Sequence, residues 1–260
     1  MLLAARFSRE VEQLMPTQHT IGLVVPFAND EVPFEGPLMY PGVRFIPRGV
    51  GVRNLTPEGY EPAWNGIIPA AEHLARQNVD AIMVIGTSLT FFRGAQAHQW
   101  LLKELRQRTG LPVSTMSQAI IDGLHEVGVN RVAVATAYTD VVNQRLKELL
   151  AAADIDVLSL ECFDLLEFGG PSKKSEADII ALSDTAVEHA DRPEGILISC
   201  GGLRTLEVAK PLEAHHGIPV VSSATAAFWA AMRLVGESGR ITGYGQLFEQ
   251  AQEPVQAPVH

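Results

Sequence analysis

The stretch GILISCGGL (195–203) sets a cysteine between an apolar run and two glycines. Gly201 and Gly202 let backbone amides approach a ligand closely, and a helix N-terminus is expected to follow at about Leu203. Amides and dipole at such a terminus stabilise an anion and lower the pKa of a thiol. Cys200 therefore suits proton transfer beside an anionic substrate. A cysteine closing an apolar strand can equally be a small buried hydrophobe, and the residue pattern leaves both readings open. The other cysteine, Cys162, follows Glu161 and stands near Asp164. That acidic context disfavours a thiolate, so its expected role is structural.

A second constellation is GTSLTFFRG (86–94). Thr87 and Ser88 supply hydroxyl and backbone donors at an expected strand-to-helix junction. Such donors can hold a carboxylate, or the dianionic enediolate made when a carbon alpha to a carboxylate loses a proton or CO2. Ser and Thr also make ordinary helix N-caps. Tyr138 closes the apolar run in ATAYTD and is either a third donor to the same oxygens or a strand-end aromatic packing on its neighbour. Arg93 could meet a substrate carboxylate, although an arginine after two phenylalanines more often forms an ion pair or stacks.

Other chemistries lack their residues. There is no G-x-S-x-G elbow, no G-x-x-x-x-G-K-[ST] phosphate loop, and VVPFAND stands where a dinucleotide fold would carry G-x-G-x-x-G. Two cysteines 38 positions apart make neither a disulfide framework nor a zinc ligand set, and His215-His216 has no spaced partner pair. No metal and no cofactor is expected.

The elements that must position these groups alternate along the chain. TIGLVVPF (20–27), DAIMVIGTS (80–88) and LPVSTM (111–116) read as strands, with helical patterns at 58–77 and 94–110. The order restarts with RVAVATAY (131–138), DVLSLECF (156–163), GILISCGG (195–202) and IPVVSSATA (218–226), separated by helices at 140–152, near 176–190 and near 204–214. Val- and Ile-rich runs without polar alternation describe strands buried on both faces, and helical crossovers make them parallel. TGLPVSTMSQAIIDGLHEVG (109–128) also reads against HGIPVVSSATAAFWAAMRLVG (216–236), which suggests a duplicated unit. Sliding that repeat back one strand sets Gly86 opposite Cys200. Ligands of open parallel sheets bind at the carboxyl ends of strands, so the strand ends of both halves should converge. The expected division is a first half over 20–128, with exchange of a final strand between halves left open, a second half over 129–248, and tails at 1–18 and 249–260. The Pro-rich stretch 33–62 reads as an excursion or flap over the site.

Composition excludes several classes. Of the 260 residues 47% are apolar and 19% charged, which describes a globular protein with a core. A net charge of −10 argues against nucleic-acid or anionic-membrane partners, since both need a basic field. No run approaches the roughly 18 apolar residues of a membrane span, and MLLAARFSREVEQLM places charges where a signal peptide needs its apolar core. A cytoplasmic location is expected.

IGTSLTFFRG, TGLPVSTMSQAIIDGLHEVGVNRVAVATAYTDVVNQRL and GILISCGGL together resemble the arylmalonate decarboxylases, within the aspartate/glutamate racemase superfamily. The likeness runs from about Ile21 to Phe248 and includes TPEGY, PVVSS and GYGQLF. It implies an α/β fold of two pseudosymmetric Rossmann-like domains, each with a four-stranded parallel sheet, and an active site in the cleft between them. Racemases and maleate isomerases of this superfamily use two cysteines, one from each half. Here the first-half position is Gly86, so only Cys200 remains, as in the decarboxylase branch. The resemblance implies cofactor-independent decarboxylation of a disubstituted malonate, with one carboxylate in a dioxyanion hole built from Thr87, Ser88, Tyr138 and amides near Ser88 and Gly201. Cys200, as a neutral thiol, would protonate the enediolate. Pro26, Val52, Leu55 and Tyr60 fall at pocket-lining positions, and Gly86 leaves room for an aryl or alkenyl substituent.

The chain departs from the family pattern in two places. Pro26-Phe27 stands where the family carries two prolines, and FDLLEFGGPSKKSE (163–176) is unlike its counterpart. The second segment is expected to border the pocket and to alter substrate preference. Two other readings compete: a relative acting on another small dicarboxylate or a cyclic amide, and a non-catalytic small-acid binding protein.

Overall fold

The computed structural model describes residues 19–250, so the arm to Gln18 and residues 251–260 of the tail lie outside the described residues. The first half contains β1 (Thr20–Val25), α1 (Glu35–Met39), β2 (Arg44–Gly49), α2 (Pro57–Ala75), β3 (Ala81–Val84), α3 (Thr87–Phe91), α4 (Ala95–Thr109), β4 (Val113–Thr115) and α5 (Met116–Glu126). The second contains β5 (Arg131–Thr136), α6 (Asp140–Ala151), β6 (Asp156–Cys162), α7 (Glu176–Glu188), β7 (Gly195–Ser199), α8 (Ala209–His216), β8 (Val220–Ser222), α9 (Ser223–Leu234) and α10 (Gln246–Gln250). The strands form two four-stranded sheets in the orders 2-1-3-4 and 6-5-7-8, every pair parallel.

This is the α/β architecture expected from the alternation, and both sheets have the same topology. The inner strands β1, β3, β5 and β7 are buried almost throughout, as their Val, Ile and Leu content requires, whereas the edge strands β2 and β6 are half-buried. In each sheet the chain leaves the first strand for one edge and then crosses to the other side. The resulting switch points lie between β1 and β3 and between β5 and β7, and such points open crevices for ligands.

Two expectations are corrected. The stretch 33–62 is not a plain flap: it contains α1, β2, paired with β1 from Thr20↔Arg44 to Val25↔Gly49, and the start of α2. Pro47 inside β2 hid that strand, but an edge strand tolerates a missing ladder donor. The helix expected at about Leu203 begins instead at Ala209. Gly201 and Gly202 are poor helix formers, Leu203 N–H turns back to the Cys200 carbonyl, and the buried Thr205 hydroxyl bonds Ser222 at 2.8 Å. Turns therefore fill the segment.

The halves are joined by the paired units that the repeat predicted. β4 runs directly into α5 and β8 directly into α9. These two helices pack on each other, α9 reaching α1, β3 and β4 of the first half while α5 reaches β8 of the second. Helices rather than strands cross between halves. At the head of α5 the Thr115 hydroxyl accepts from Gln118 N–H at 3.0 Å, and it also bonds the Nε2 atom of the fully buried His98 at 2.7 Å. Burial depresses the His98 pKa to about 4. A histidine lowered in the folded state stabilises fully above its unfolded pKa of about 6.5 and loses that contribution as pH falls through the folded value. Denaturant titrations should therefore show the protein losing up to about 3 kcal/mol between pH 6.5 and 4 on this account. His98→Gln should flatten that limb.

Candidate active site

The two switch points face one cavity of about 250 Å³. β1 delivers Pro26 and Phe27, β3 delivers Gly86, Thr87 and Ser88, and β7 delivers Cys200, Gly201 and Gly202. Val52, Leu55 and Tyr60 come from the end of β2 and the start of α2, where Thr56 caps the helix by accepting from Gly59 N–H and Pro57 occupies the first turn. Phe168, Gly169, Pro171 and Ser172 close the wall from the second half. This is the unusual 163–176 segment, tied across the cleft by the Leu55 N–H bond to the Leu166 carbonyl at 2.8 Å and by edge-to-face packing of Phe27 on Phe168. Nine of the ten residues singled out in the sequence line the cavity. The tenth, Tyr138, lies just behind it, fully buried.

Polar groups are few and interlinked. Ser88 Oγ donates to Tyr60 Oη at 2.8 Å. Tyr138 Oη sits 3.4 Å from Ser199 Oγ, with its ring edge-on to Phe91 at 5.8 Å. Thr87 is 1% exposed, and its Oγ1 faces the Tyr138 hydroxyl in an interaction that falls short of full hydrogen-bond geometry. A buried hydroxyl without a full hydrogen bond is unusual. Its backbone is fixed from behind, because Ser117 Oγ donates to the Thr87 carbonyl at 2.8 Å and meets Thr90 Oγ1 at 2.6 Å. This threonine is built to serve something that enters the cavity.

Burial dominates the ionisation of the thiol. Cys200 is pushed up to about 11 by desolvation, against opposing contributions from the Gly202 and Leu203 amides and the Tyr138 hydroxyl. The sequence argument expected a lowered pKa. With the helix delayed to Ala209, no helix terminus points at the sulfur, and two amides do not offset the loss of water. Tyr138 and Tyr60 are likewise raised, chiefly by burial, so both phenols keep their protons. At neutral pH the site presents a neutral thiol, two phenols and two hydroxyls, all able to donate.

The glycines set the room available. Gly86 has φ +118°, and a Cβ there would lie 3.2 Å from Leu89 Cβ. A side chain at Gly201 would meet Met116 Sδ, and one at Gly202 would meet Pro171 Cβ at 3.2 Å. The remaining candidates lie apart. Arg93 pairs with Glu61 and stacks over Trp64, so its role is structural. Cys162 ends β6, is only partly buried, and has a pKa raised first by desolvation. His215-His216 does gain a partner that spacing could not reveal: Asp184 of α7 lies 2.7 Å from His216. These three offer ligand atoms within 4.8 Å of one another, yet none lines the cavity.

Sequence reasoning missed Glu31 to Glu35 and Arg204, all of which line the same cavity. The acidic and apolar run EVPFE (31–35) straddles the start of the supposed flap, and only its packing against the cleft marks it.

Comparison with known proteins agrees with this geometry. A family model described as arylmalonate decarboxylase matches residues 21–248. The chain is 40% identical to an arylmalonate decarboxylase from Bordetella bronchiseptica over 233 residues, which is 89% of this chain and 97% of that protein. It superposes on a liganded mutant of arylmalonate decarboxylase with a TM-score of 0.87 at 39% identity, covering 90% of this chain and all of the other. A maleate isomerase from Pseudomonas putida S16, solved with maleate, is similar in fold alone, with a TM-score of 0.83 at 20% identity over 90% of this chain and 99% of that one.

Two outcomes follow from the geometry. In a Cys162→Ala background, alkylation of Cys200 by iodoacetamide should be slow at pH 7 and rise with pH without a plateau below about 10. Gly86→Ala should cost about 1–3 kcal/mol by denaturant titration, because a Cβ strains the positive φ.

Proposed function

The chain belongs to the arylmalonate decarboxylase family, and on that premise we propose that it is a carbon–carbon lyase that removes CO2 from aryl- or alkenyl-substituted malonates without a cofactor, delivering one proton from Cys200. The observation that carries this reading is the pairing of a neutral buried thiol with a Thr87 hydroxyl that lacks a full hydrogen bond, in one cavity.

The substrate presents two carboxylates. One enters the donor group formed by Thr87, Ser88, Tyr60 and the Tyr138 hydroxyl, where preorganised donors stabilise charge better than water does, since they need no reorientation. The other faces the apolar side chains of Val52, Leu55, Leu89 and Pro26. Loss of CO2 from that side leaves the carbanion delocalised into the first carboxylate as an enediolate. The donors that hold the carboxylate hold this dianion more strongly, so they favour the transition state over bound substrate. The Cys200 S–H then gives its proton to the planar carbon, and the thiolate takes one back from solvent before the next turnover. The cavity contains one thiol, so protonation comes from one face and the product is a single enantiomer. Two-base racemisation needs a second donor where Gly86 stands.

This reading includes a small dicarboxylate as the partner and the cytoplasm as the place of work. A reduced thiol suits that compartment. Among the described residues no helix is long and apolar enough to cross a membrane.

The test is CO2 release from 2-methyl-2-phenylmalonate, with maleate and hydantoins assayed beside it. Wild type should turn over the malonate alone. Cys200→Ala should keep its melting temperature and lose product formation by about 10³-fold, the middle of the range for a general acid. Thr87→Val should lower kcat by about 10²-fold, as for removal of one donor from an oxyanion hole. No turnover of any malonate, together with tight binding unaffected by Cys200→Ser, would make the protein a binding module instead.

A further inference from the structure

Glu35 is a buried charge that the proposed chemistry does not use. It is 3% exposed, it lines the same cavity as Cys200, and among the described residues its carboxyl makes no hydrogen bond to another side chain. Burial raises its pKa to about 7, against the pull of its own amide and of Arg204. A buried carboxyl costs stability unless something satisfies it.

Arg204 lines the cavity too, four residues beyond the thiol. Its guanidinium lies over the Phe34 ring at 6.0 Å, it is otherwise exposed, and no carboxylate among the described residues is within ion-pair distance of it. Two groups of opposite charge thus share the rim, close enough for one to bear on the other's ionisation, yet they form no salt bridge. The remaining wall toward them is Val32, Pro33, Phe34 and Phe168, with Glu31 the other ionisable group on this rim. A carboxyl and a guanidinium that line one cavity, the second lying over an aromatic ring, suit a group that donates to the first and accepts from the second. A phenolic hydroxyl does both.

We infer that Glu35 and Arg204 form a specificity subsite for a hydroxyl on the aryl ring of the malonate, the O–H donating to the Glu35 carboxyl and the oxygen accepting from Arg204. The inference rests on the decarboxylase reading and deepens it. Glu35 and Arg204 position the ring and take no part in proton transfer. They are a selectivity device, because the buried Glu35 carboxyl left unmatched by an unsubstituted ring is penalised.

The test compares kcat/KM for 2-methyl-2-phenylmalonate with its 3-hydroxyphenyl, 4-hydroxyphenyl and 4-methoxyphenyl counterparts. Turnover of the phenyl compound by wild type checks the underlying reading separately. Wild type should prefer one hydroxyphenyl isomer over both the phenyl and the methoxyphenyl compounds by about ten-fold or more, the range for a hydrogen bond to a charged group. Glu35→Leu should bring that ratio to near one, and Glu35→Gln, whose amide oxygen still accepts, should give an intermediate ratio. If the leucine variant does not fold, Arg204→Leu is read in its place, with loss of the preference expected. A wild-type ratio near one for both isomers, or a ratio unmoved in the folded variant, overturns the inference.

Discussion

Desolvation of Cys200 is the constraint on which the rest of the site depends. A thiol in water loses its proton near pH 8 to 9, and beside a helix terminus far lower. At the end of β7 Cys200 is only 6% exposed, and burial outweighs the two amides that reach it. The proton therefore stays on until a stronger base arrives, and in the proposed mechanism that base is the enediolate left by a departing CO2. A lower thiol pKa would leave Cys200 ionised and place a third negative charge beside a dianionic substrate.

The fold produces that environment by using one topology twice. Each sheet opens at its own switch point, and the crossed pair α5 and α9 holds the two openings face to face. The halves then divide the labour. The first supplies donors, because α3 starts at Thr87 straight from the strand and exposes hydroxyls at its head. The second supplies the acid of the proposed mechanism, because Gly201, Gly202 and a delayed helix leave Cys200 on a turn. Strain at Gly86 and the incompletely bonded hydroxyl of Thr87 accompany that arrangement, as expected where local consistency yields to function.

Much of this was legible in the chain. The parallel strands, the duplicated units and the convergence of Pro26, Thr87, Ser88 and Cys200 follow from buried apolar runs with small polar residues at their ends. The strand β2 was not legible, since Pro47 breaks a run that only pairing with β1 reveals. Nor was the helix start after Cys200, because Thr205 prefers a buried bond to Ser222, a contact 17 residues away. The direction of the thiol's pKa was misjudged for the same reason: the helix terminus meant to lower it lies elsewhere. Glu35 was invisible because its burial comes from tertiary packing, and sequence alone sees an acidic residue in a loop.

The central claim is that one neutral thiol protonates one face of the intermediate. The most direct measurement is the reaction of 2-methyl-2-phenylmalonate in D2O, with the 2-phenylpropanoate product resolved on a chiral column and its deuterium content read by mass spectrometry. A single enantiomer carrying one deuterium at the alpha carbon is the result the account predicts. Racemic product would contradict it.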